Sequence, residues 1–171
     1  MHTHHHTYDT PAGPLTILTH GDTIVAAGFT DDPTRLHARM RPEKAHPLAP
    51  GPSTVVTAAV ERWLDGDHHA FDGLDLDQHH TDFQAAVWDG LRRIPAGSTA
   101  SYGELADDVG RPSAVRAVGS ACGANLIAPM VPCHRALRSD GSLGGYEYGL
   151  DVKRWLLDHE GAGRQQQLAV G

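Results

Sequence analysis

The chain has 171 residues, of which 40% are hydrophobic and 20% charged, a balance typical of a globular protein and enough for one large domain or two small ones. It contains no run approaching the roughly 18 apolar residues that a membrane span needs, and it does not begin with the pattern of a signal peptide. We therefore expect a cytoplasmic protein without a membrane partner. Two cysteines, Cys122 and Cys133, occur without Cys-x-x-Cys spacing, which argues against a disulfide scaffold and a thiolate zinc site.

The formal net charge of −7 is unfavourable for nucleic-acid binding until it is resolved along the chain. Residues 1–80 carry a net charge of −6, whereas residues 81–171 carry only −1. Within the second half, the window 109–139 holds four arginines and no acidic residue; they are Arg111, Arg116, Arg135 and Arg138. Phosphate contact requires a local basic patch of this kind, although an arginine run is also typical of a solvated face.

The N-terminus is rich in histidine, at His2, His4, His5 and His6. Such a tract is typical of a disordered or artificial terminus, and although histidines bind metals, we assign it no role.

The rest of the first half has patterns of two strands and one helix. β-Rich runs over residues 14–20 and 23–30 are joined by a Gly-Asp pair, a two-residue hairpin signal. A stretch over 41–52 rich in proline and glycine predicts a loop, and residues 53–64 have the apolar spacing of a helix. We expect residues 1–80 to form an α/β scaffold domain, a small antiparallel sheet plus a helix, without chemistry of its own.

The second half, residues 81–171, is predicted to form a second, mainly α-helical domain. Its first helix is amphipathic and covers residues 82–94. Ser101 and Glu104 have the spacing of a capping box, in which each side chain satisfies a backbone amide near the other, so a short helix should follow over 102–109.

A Gly-Arg-Pro sequence breaks that helix, and Ser113 is placed to cap a further one through about Cys122. Two short helices joined by a tight turn predict a helix-turn-helix. The second helix is rich in small residues, among them Ala117 and Gly119. Small residues allow close packing in a core, and they also leave a helix thin enough to approach DNA closely.

The most informative motif is Val131-Pro132-Cys133-His134-Arg135, which follows a run of apolar residues. It places a thiol beside an imidazole and a guanidinium, groups that promote formation of a thiolate. A lone cysteine is equally at home as a small buried hydrophobic residue, so the motif alone leaves both interpretations open.

Five separated segments surround this motif in a fixed order. They are residues 101–106, residues 114–119, Asn125, residues 142–146 and residues 149–161. Together with Pro132-Cys133-His134-Arg135 they closely resemble the O6-alkylguanine-DNA alkyltransferases, also called methylated-DNA–protein-cysteine methyltransferases. The resemblance is strong from about Thr81 to Gly161 and weak before it.

The resemblance implies four catalytic residues. Cys133 would supply the thiolate that accepts the alkyl group, and His134 would take the thiol proton. Glu160 would hold the imidazole charged and oriented. Asn125 would brace the turn that carries the nucleophile. Because consecutive residues of an extended segment point to opposite sides, we expect a water between Cys133 and His134, as in the family.

The resemblance also implies a DNA-binding surface. The second helix of the helix-turn-helix would enter the minor groove, with Arg116 as the finger that fills the gap left by an everted nucleotide. Tyr102 would help to rotate that nucleotide and later donate a hydrogen bond to the purine. The remaining predicted DNA contacts are Ser113, Ala117, Gly119 and Arg135. The predicted partner is duplex DNA containing O6-alkylguanine, with no obligatory protein partner.

The predicted substrate pocket is lined by Tyr102, Val131, Pro132, Gly145, Tyr146 and Glu147. The sequence departs from the commoner family pattern at Glu147 and Tyr148, where small residues usually follow the tyrosine. Bulk and charge there predict that methyl groups are accepted and larger alkyl groups less well.

These residues predict irreversible, single-turnover repair of O6-methylguanine, and also of O4-methylthymine. No phosphate loop or dinucleotide fingerprint is present, so no cofactor is expected. Some relatives hold zinc in the N-terminal domain through cysteine and histidine, but residues 1–80 contain no cysteine, and we expect no metal.

Three other classes of function remain as alternatives. An alkyltransferase-like protein would bind lesions without reacting, a transcription regulator would use the helix-turn-helix alone, and a cysteine hydrolase would turn over. The presence of Cys133 argues against the first. The lack of N-terminal cysteines argues against the second, and no oxyanion site supports the third.

Overall fold

The computed structural model describes residues 1–162, which group into two compact units. The first unit contains residues 1–79 together with residues 126–130, and the second contains residues 80–125 and continues from residue 131. The first unit therefore includes a short segment from the middle of the second half of the chain. Nothing in the sequence pattern predicted this excursion.

The first unit is built on a four-stranded sheet in the order β3-β2-β1-β4. Strands β1 (Thr3–Thr10), β2 (Gly13–His20) and β3 (Thr23–Gly28) pair antiparallel. Strand β4 (Leu48–Pro50) pairs parallel with β1. The predicted hairpin over 14–30 is confirmed, but the prediction of a purely antiparallel sheet is wrong, because a short strand lies within the stretch that we expected to be a loop.

Two helices belong to this unit. Helix α1 (Pro33–His37) follows β3 and was not predicted, and Asp32 caps it by accepting from the amide of Thr34. Helix α2 (Thr54–Leu64) forms where expected, with Ser53 as its N-cap. The middle of β2 is buried residue after residue, which is the pattern of a strand covered on both faces.

The histidine-rich N-terminus forms β1, an interior strand of the sheet, so the expectation of a disordered terminus is wrong. Its threonines explain why: Thr3 is fully buried and hydrogen-bonds His20 at 3.0 Å, and Thr7 bonds Thr16 at 2.7 Å. His4 and His6 are exposed. Thr3, His5 and Thr7 are more buried than His4 and His6, so burial along this segment follows the period-2 pattern of a strand.

The excursion of residues 126–130 lies along the outer edge of β3. The amide of Ala27 donates to the carbonyl of Leu126 at 2.8 Å, and the amide of Ala128 donates to the carbonyl of Ala27 at 3.1 Å. Leu126 also joins a buried cluster with Leu18 and Leu36. These contacts satisfy backbone groups that an edge strand would otherwise leave unpaired.

The second unit consists mainly of helices around a small parallel β-pair. Helix α3 (Asp82–Arg93) precedes β5 (Ala100–Ser101) and α4 (Tyr102–Asp108). Helix α5 (Val115–Gly123) follows, and a 3-10 turn over Cys133–Arg135 leads into β6 (Ala136–Leu137) and α6 (Leu150–His159). The predicted capping box of Ser101 and Glu104 is present.

One predicted cap in this unit is wrong. Helix α5 begins at Val115 with Ala114 as its N-cap, and no side chain caps it. Ser113 lies one residue too early for the role and is exposed. The small residues of α5 are divided between packing and surface: Ala121 is buried, and its carbonyl accepts from the indole of Trp88 at 2.8 Å, whereas Ala117 is exposed.

None of the helices among residues 1–162 has both the length and the apolar character that crossing a membrane would require.

We predict that deletion of residues 1–7 destabilises the protein by several kcal/mol, because it removes most of a strand that pairs on both sides. The expected result is a melting temperature lowered by at least about 10 °C, measured by circular dichroism. As a control, the double substitution His2→Ser and His4→Ser changes only exposed side chains and should alter the free energy of unfolding by less than about 0.5 kcal/mol. A deletion that melts like the parent would show that the strand contributes nothing.

Candidate active site

The reactive motif forms a 3-10 turn at Cys133–Arg135, with Pro132 before it and β6 directly after it. We expected an extended segment here, and the structure has a tight turn instead. His134 is 1% exposed, while Cys133 keeps part of its surface accessible. The turn therefore presents the thiol while it buries the imidazole.

A buried carboxylate holds the two residues that follow the cysteine. Glu160 is the C-cap of α6, and its Oε1 lies 2.7 Å from Nε2 of His134. Arg135 donates to both carboxylate oxygens of Glu160, from Nε at 3.0 Å and from a terminal nitrogen at 2.9 Å. Burial alone would raise the pKa of Glu160, but the hydrogen bonds of His134 and the guanidinium of Arg135 outweigh it and lower the pKa to about 2.

This arrangement determines which nitrogen of the His134 imidazole carries a proton. Burial lowers the pKa of His134 below its ordinary value, with Glu160 opposing, so the ring is neutral near pH 7. Because Nε2 faces an ionised carboxylate, Nε2 must carry the single proton. Nδ1 is then unprotonated and has a free lone pair. It is buried and has no hydrogen-bond partner among residues 1–162. The resting imidazole is therefore a base with a free position for a proton at Nδ1.

The guanidinium of Arg135 is hydrogen-bonded within the protein. Besides its two bonds to Glu160, it donates to the carbonyl of Ile94 at 2.6 Å, and its side chain is only 13% exposed. These bonds occupy the guanidinium, which argues against the predicted contact of Arg135 with DNA. Its role in the structure is to stabilise the carboxylate that holds His134.

Asn125 braces the approach to the nucleophile. Its side-chain amide donates to the carbonyl of Val131 at 2.9 Å. This bond joins the two residues that flank the excursion of residues 126–130. The same nitrogen lies 3.4 Å from the sulfur of Cys133. Burial raises the pKa of the Cys133 thiol, and the bond from Asn125 opposes this rise. A base is therefore needed to form the thiolate.

Sequence reasoning missed one buried charge in this site. Lys153 is fully buried in α6 and donates to the carbonyls of Ala136 at 2.8 Å, Gly145 at 3.2 Å and Leu143. Burial lowers its pKa to about 8, against the opposing influence of the two cysteines. Its charge in turn favours the thiolate of Cys133. Lys153 thus joins β6 to the loop before α6.

A signal for Lys153 was present in the sequence. The buried positions of α6 and its cap recur at helical spacing: Lys153, Leu156, Leu157 and Glu160. A core-facing stripe that carries two charged residues is unusual, because buried charges are costly unless they are paired. The stripe therefore indicates a functional face.

The loop before α6 packs against Tyr102 through Gly144. Gly144 has φ +69°, and a Cβ there would lie 3.1 Å from the Tyr102 hydroxyl oxygen, so a side chain would strain the backbone and displace the tyrosine. Gly145, which we predicted in the pocket, is exposed and has open space at that position. Gly144 is therefore the glycine that the packing requires.

The two tyrosines of this loop contact each other. Their rings meet edge to face with centroids 5.8 Å apart, and the hydroxyl of Tyr146 is buried without a hydrogen-bond partner among residues 1–162. Val131 and Pro132 are buried, whereas Glu147 is exposed. The charge of Glu147 also contributes to the raised pKa of Cys133.

The predicted DNA contacts on and before α5 are accessible. Ser113, Arg116 and Ala117 are exposed, and Gly119 is half-buried.

A family model described as the 6-O-methylguanine DNA methyltransferase DNA-binding domain matches residues 82–162. The methylated-DNA–protein-cysteine methyltransferase of Mycobacterium tuberculosis is 41% identical over 160 residues, which is 92% of each chain. The chain belongs to the methylated-DNA–protein-cysteine methyltransferase family. A second member, from Haemophilus influenzae, is 37% identical and matches over 90% of this chain and 83% of its own length.

The fold agrees with this assignment. The crystal structure of Mycobacterium tuberculosis OGT in complex with DNA is similar with a TM-score of 0.76 and 37% identity, over 94% of each chain. The family resemblance predicted from the motifs is thereby confirmed.

We predict that the substitution Glu160→Gln destabilises this methyltransferase by about 3–5 kcal/mol, because it leaves the guanidinium of Arg135 buried without its counter-charge. Urea unfolding at pH 7 measures the loss. The control is Asp158→Asn, an exposed carboxylate on the same helix, which should cost less than about 0.5 kcal/mol. Equal losses in the two variants would contradict the role of the buried carboxylate.

The same carboxylate predicts a pH dependence. Its pKa falls from 4.5 to about 2 on folding. The resulting stabilisation, about 3 kcal/mol, is fully present above pH 4.5 and is lost as the pH falls towards 2. The parent should therefore lose stability in this window by about that much more than Glu160→Gln, and parallel curves would show that the pKa is not shifted.

Proposed function

We propose that the protein repairs O6-methylguanine in duplex DNA by transferring the methyl group irreversibly to Cys133, once per molecule. The observation that carries this proposal is the pairing of a partly buried cysteine with a buried, neutral imidazole whose proton position Glu160 fixes. Family membership supplies the reaction class. O4-methylthymine is proposed as a second substrate.

The chemistry follows from the site. His134 takes the thiol proton at Nδ1, through one water, and becomes an imidazolium stabilised by the carboxylate of Glu160. The thiolate attacks the methyl carbon, so a sulfur–carbon bond forms while the bond to O6 breaks and its electron pair stays on the purine. The purine gains a proton in place of the methyl group; the hydroxyl of Tyr102 donates a hydrogen bond to the purine, and the proton taken up by His134 balances the one the purine gains, so His134 is neutral again at the end. The balance is thiol plus O6-methylguanine to thioether plus guanine.

Single turnover follows from the product. A methyl thioether has no leaving group that water or a thiol displaces under mild conditions. The methylated sulfur of Cys133 therefore does not return to a thiolate, and each protein molecule is consumed by one reaction.

We propose that α4 and α5 act as a helix-turn-helix in the domain formed by residues 81–171. A minor groove about 6 Å wide accepts an ordinary helix, about 10–12 Å across, only if the groove opens and the side chains are small. The exposed surface of Ala117 and the half-buried Gly119 support α5 as the inserted helix, with Ser113 at its start. Arg116 is exposed and is proposed to fill the stack after nucleotide extrusion, which costs a few kcal/mol.

A non-reacting lesion-binding protein is the alternative function. It would have the same DNA-binding surface, but it would need neither the thiol nor the base. The presence of Cys133 together with the bonds of Asn125 and Glu160 favours the reacting protein.

We predict that incubation with duplex DNA containing O6-methylguanine adds the mass of one methyl group, in place of one hydrogen, to each protein molecule. Intact-protein mass spectrometry measures the change, and peptide mapping should place it on Cys133. Cys133→Ser should bind the duplex without a change of mass, and Cys122→Ser, which alters a buried cysteine with a pKa raised to about 12, should still be methylated. Binding by the parent without any mass change would instead support the lesion-binding alternative.

A second prediction concerns the size of the alkyl group. Tyr148 packs against Tyr146 in the loop before α6, so O6-benzylguanine should react more slowly than O6-methylguanine. Tyr148→Gly removes this bulk and should raise the benzyl-to-methyl rate ratio about tenfold or more, measured in single-turnover assays. Glu147→Gln, which removes charge but little volume, separates the two causes. A parent that repairs both adducts at equal rates would contradict the prediction.

A further inference from the structure

Arg138 begins a tight turn directly after β6. Its backbone amide donates to the carbonyl of Ser142 at 3.0 Å, and its backbone carbonyl accepts from the amide of Gly141 at 2.9 Å. Asp140 holds the turn by accepting from the amide and the hydroxyl of Ser142, at 2.9 and 2.7 Å. Hydrogen bonds from its amide and to its carbonyl thus hold the backbone of Arg138 in the turn.

The register of the β-pair places Arg138 beside Tyr102. Strands β5 and β6 run parallel, with Ala100 opposite Ala136 and Ser101 opposite Leu137. Both strands end there: Tyr102 begins α4 directly after β5, and Arg138 directly follows β6. Their side chains also converge: a Cβ on Gly144 would lie 3.1 Å from the Tyr102 hydroxyl and 3.5 Å from Cγ of Arg138.

Arg138 is exposed, and among residues 1–162 its guanidinium has no hydrogen bond or ion pair. In this it differs from Arg135, whose guanidinium is occupied by Glu160. The acidic group nearest along the turn, Asp140, is engaged by Ser142, and the charge of Arg138 only adds to the lowering of its pKa. Burial raises the pKa of Tyr102, and the nearby charge of Arg138 opposes this rise.

We propose that Arg138 binds a backbone phosphate of the nucleotide that Tyr102 contacts. This inference rests on the proposed function, because it needs DNA at Tyr102. An arginine that is exposed and has no partner within residues 1–162, on a hydrogen-bonded turn, is suited to a phosphate oxygen, which its guanidinium contacts as a charged fork. The contact positions the nucleotide beside the pocket and carries no sequence information.

The test measures binding of a duplex containing O6-methylguanine by fluorescence anisotropy at several salt concentrations, in a Cys133→Ser background that prevents reaction. Loss of one phosphate contact should reduce the slope of log Kd against log salt by about one unit in Arg138→Gln. Arg62→Gln is the matched control, since it removes an exposed arginine from the first unit and should leave the slope unchanged. Arg138→Lys retains the charge and should retain most of the slope.

A second measurement separates phosphate from base contact. With Cys133 intact, Arg138→Gln should lose several-fold more single-turnover rate on the duplex than on the O6-methylguanine deoxynucleoside, which has no phosphate. Equal losses on both substrates, or an unchanged salt slope, would overturn the proposal. Failure of the proposed function would look different, since the parent would then gain no methyl group from either substrate.

Discussion

The buried carboxylate of Glu160 is the interaction on which the site depends. It sits at the end of α6 and binds two consecutive residues of the 3-10 turn, so a single side chain fixes both the position of the turn and the tautomer of His134. Arg135 offsets the cost of burying this charge and ties the cluster to the carbonyl of Ile94. A buried ion pair contributes little net stability, but once built it leaves few alternative arrangements for its partners.

The electrostatic balance at Cys133 has a chemical meaning. Burial disfavours the thiolate, while Asn125 and Lys153 favour it. A resting thiol that ionises only as a neighbouring base accepts its proton is protected from indiscriminate alkylation and oxidation, since the thiolate is the reactive form. For a protein that reacts once, a nucleophile spent on the wrong electrophile is a molecule lost.

Local signals in the sequence predicted much of this fold. The capping box at Ser101 and the apolar spacing of α2 are local, and both elements form where expected. The histidine-rich strand was missed because its three successive histidines show no alternation of apolar and polar residues, although their burial alternates. The partners of Arg135 and Lys153 lie far along the chain, at Glu160 and in the loop before α6, and no local pattern shows whether a charge points inward. Family motifs pointed to the proposed catalytic residues, but only the geometry separated Arg135 from Arg138.

The excursion of residues 126–130 affects how the chain matures during synthesis. A ribosome releases the N-terminus first, so the sheet of the first unit emerges early, yet the segment that covers the edge of β3 follows only after residues 80–125. A nascent chain therefore carries an open strand edge, the kind of surface that invites pairing with other chains. The segment that covers this edge at Ala27 is followed two residues later by Pro132-Cys133. Covering the scaffold and placing the nucleophile thus depend on one continuous stretch of chain.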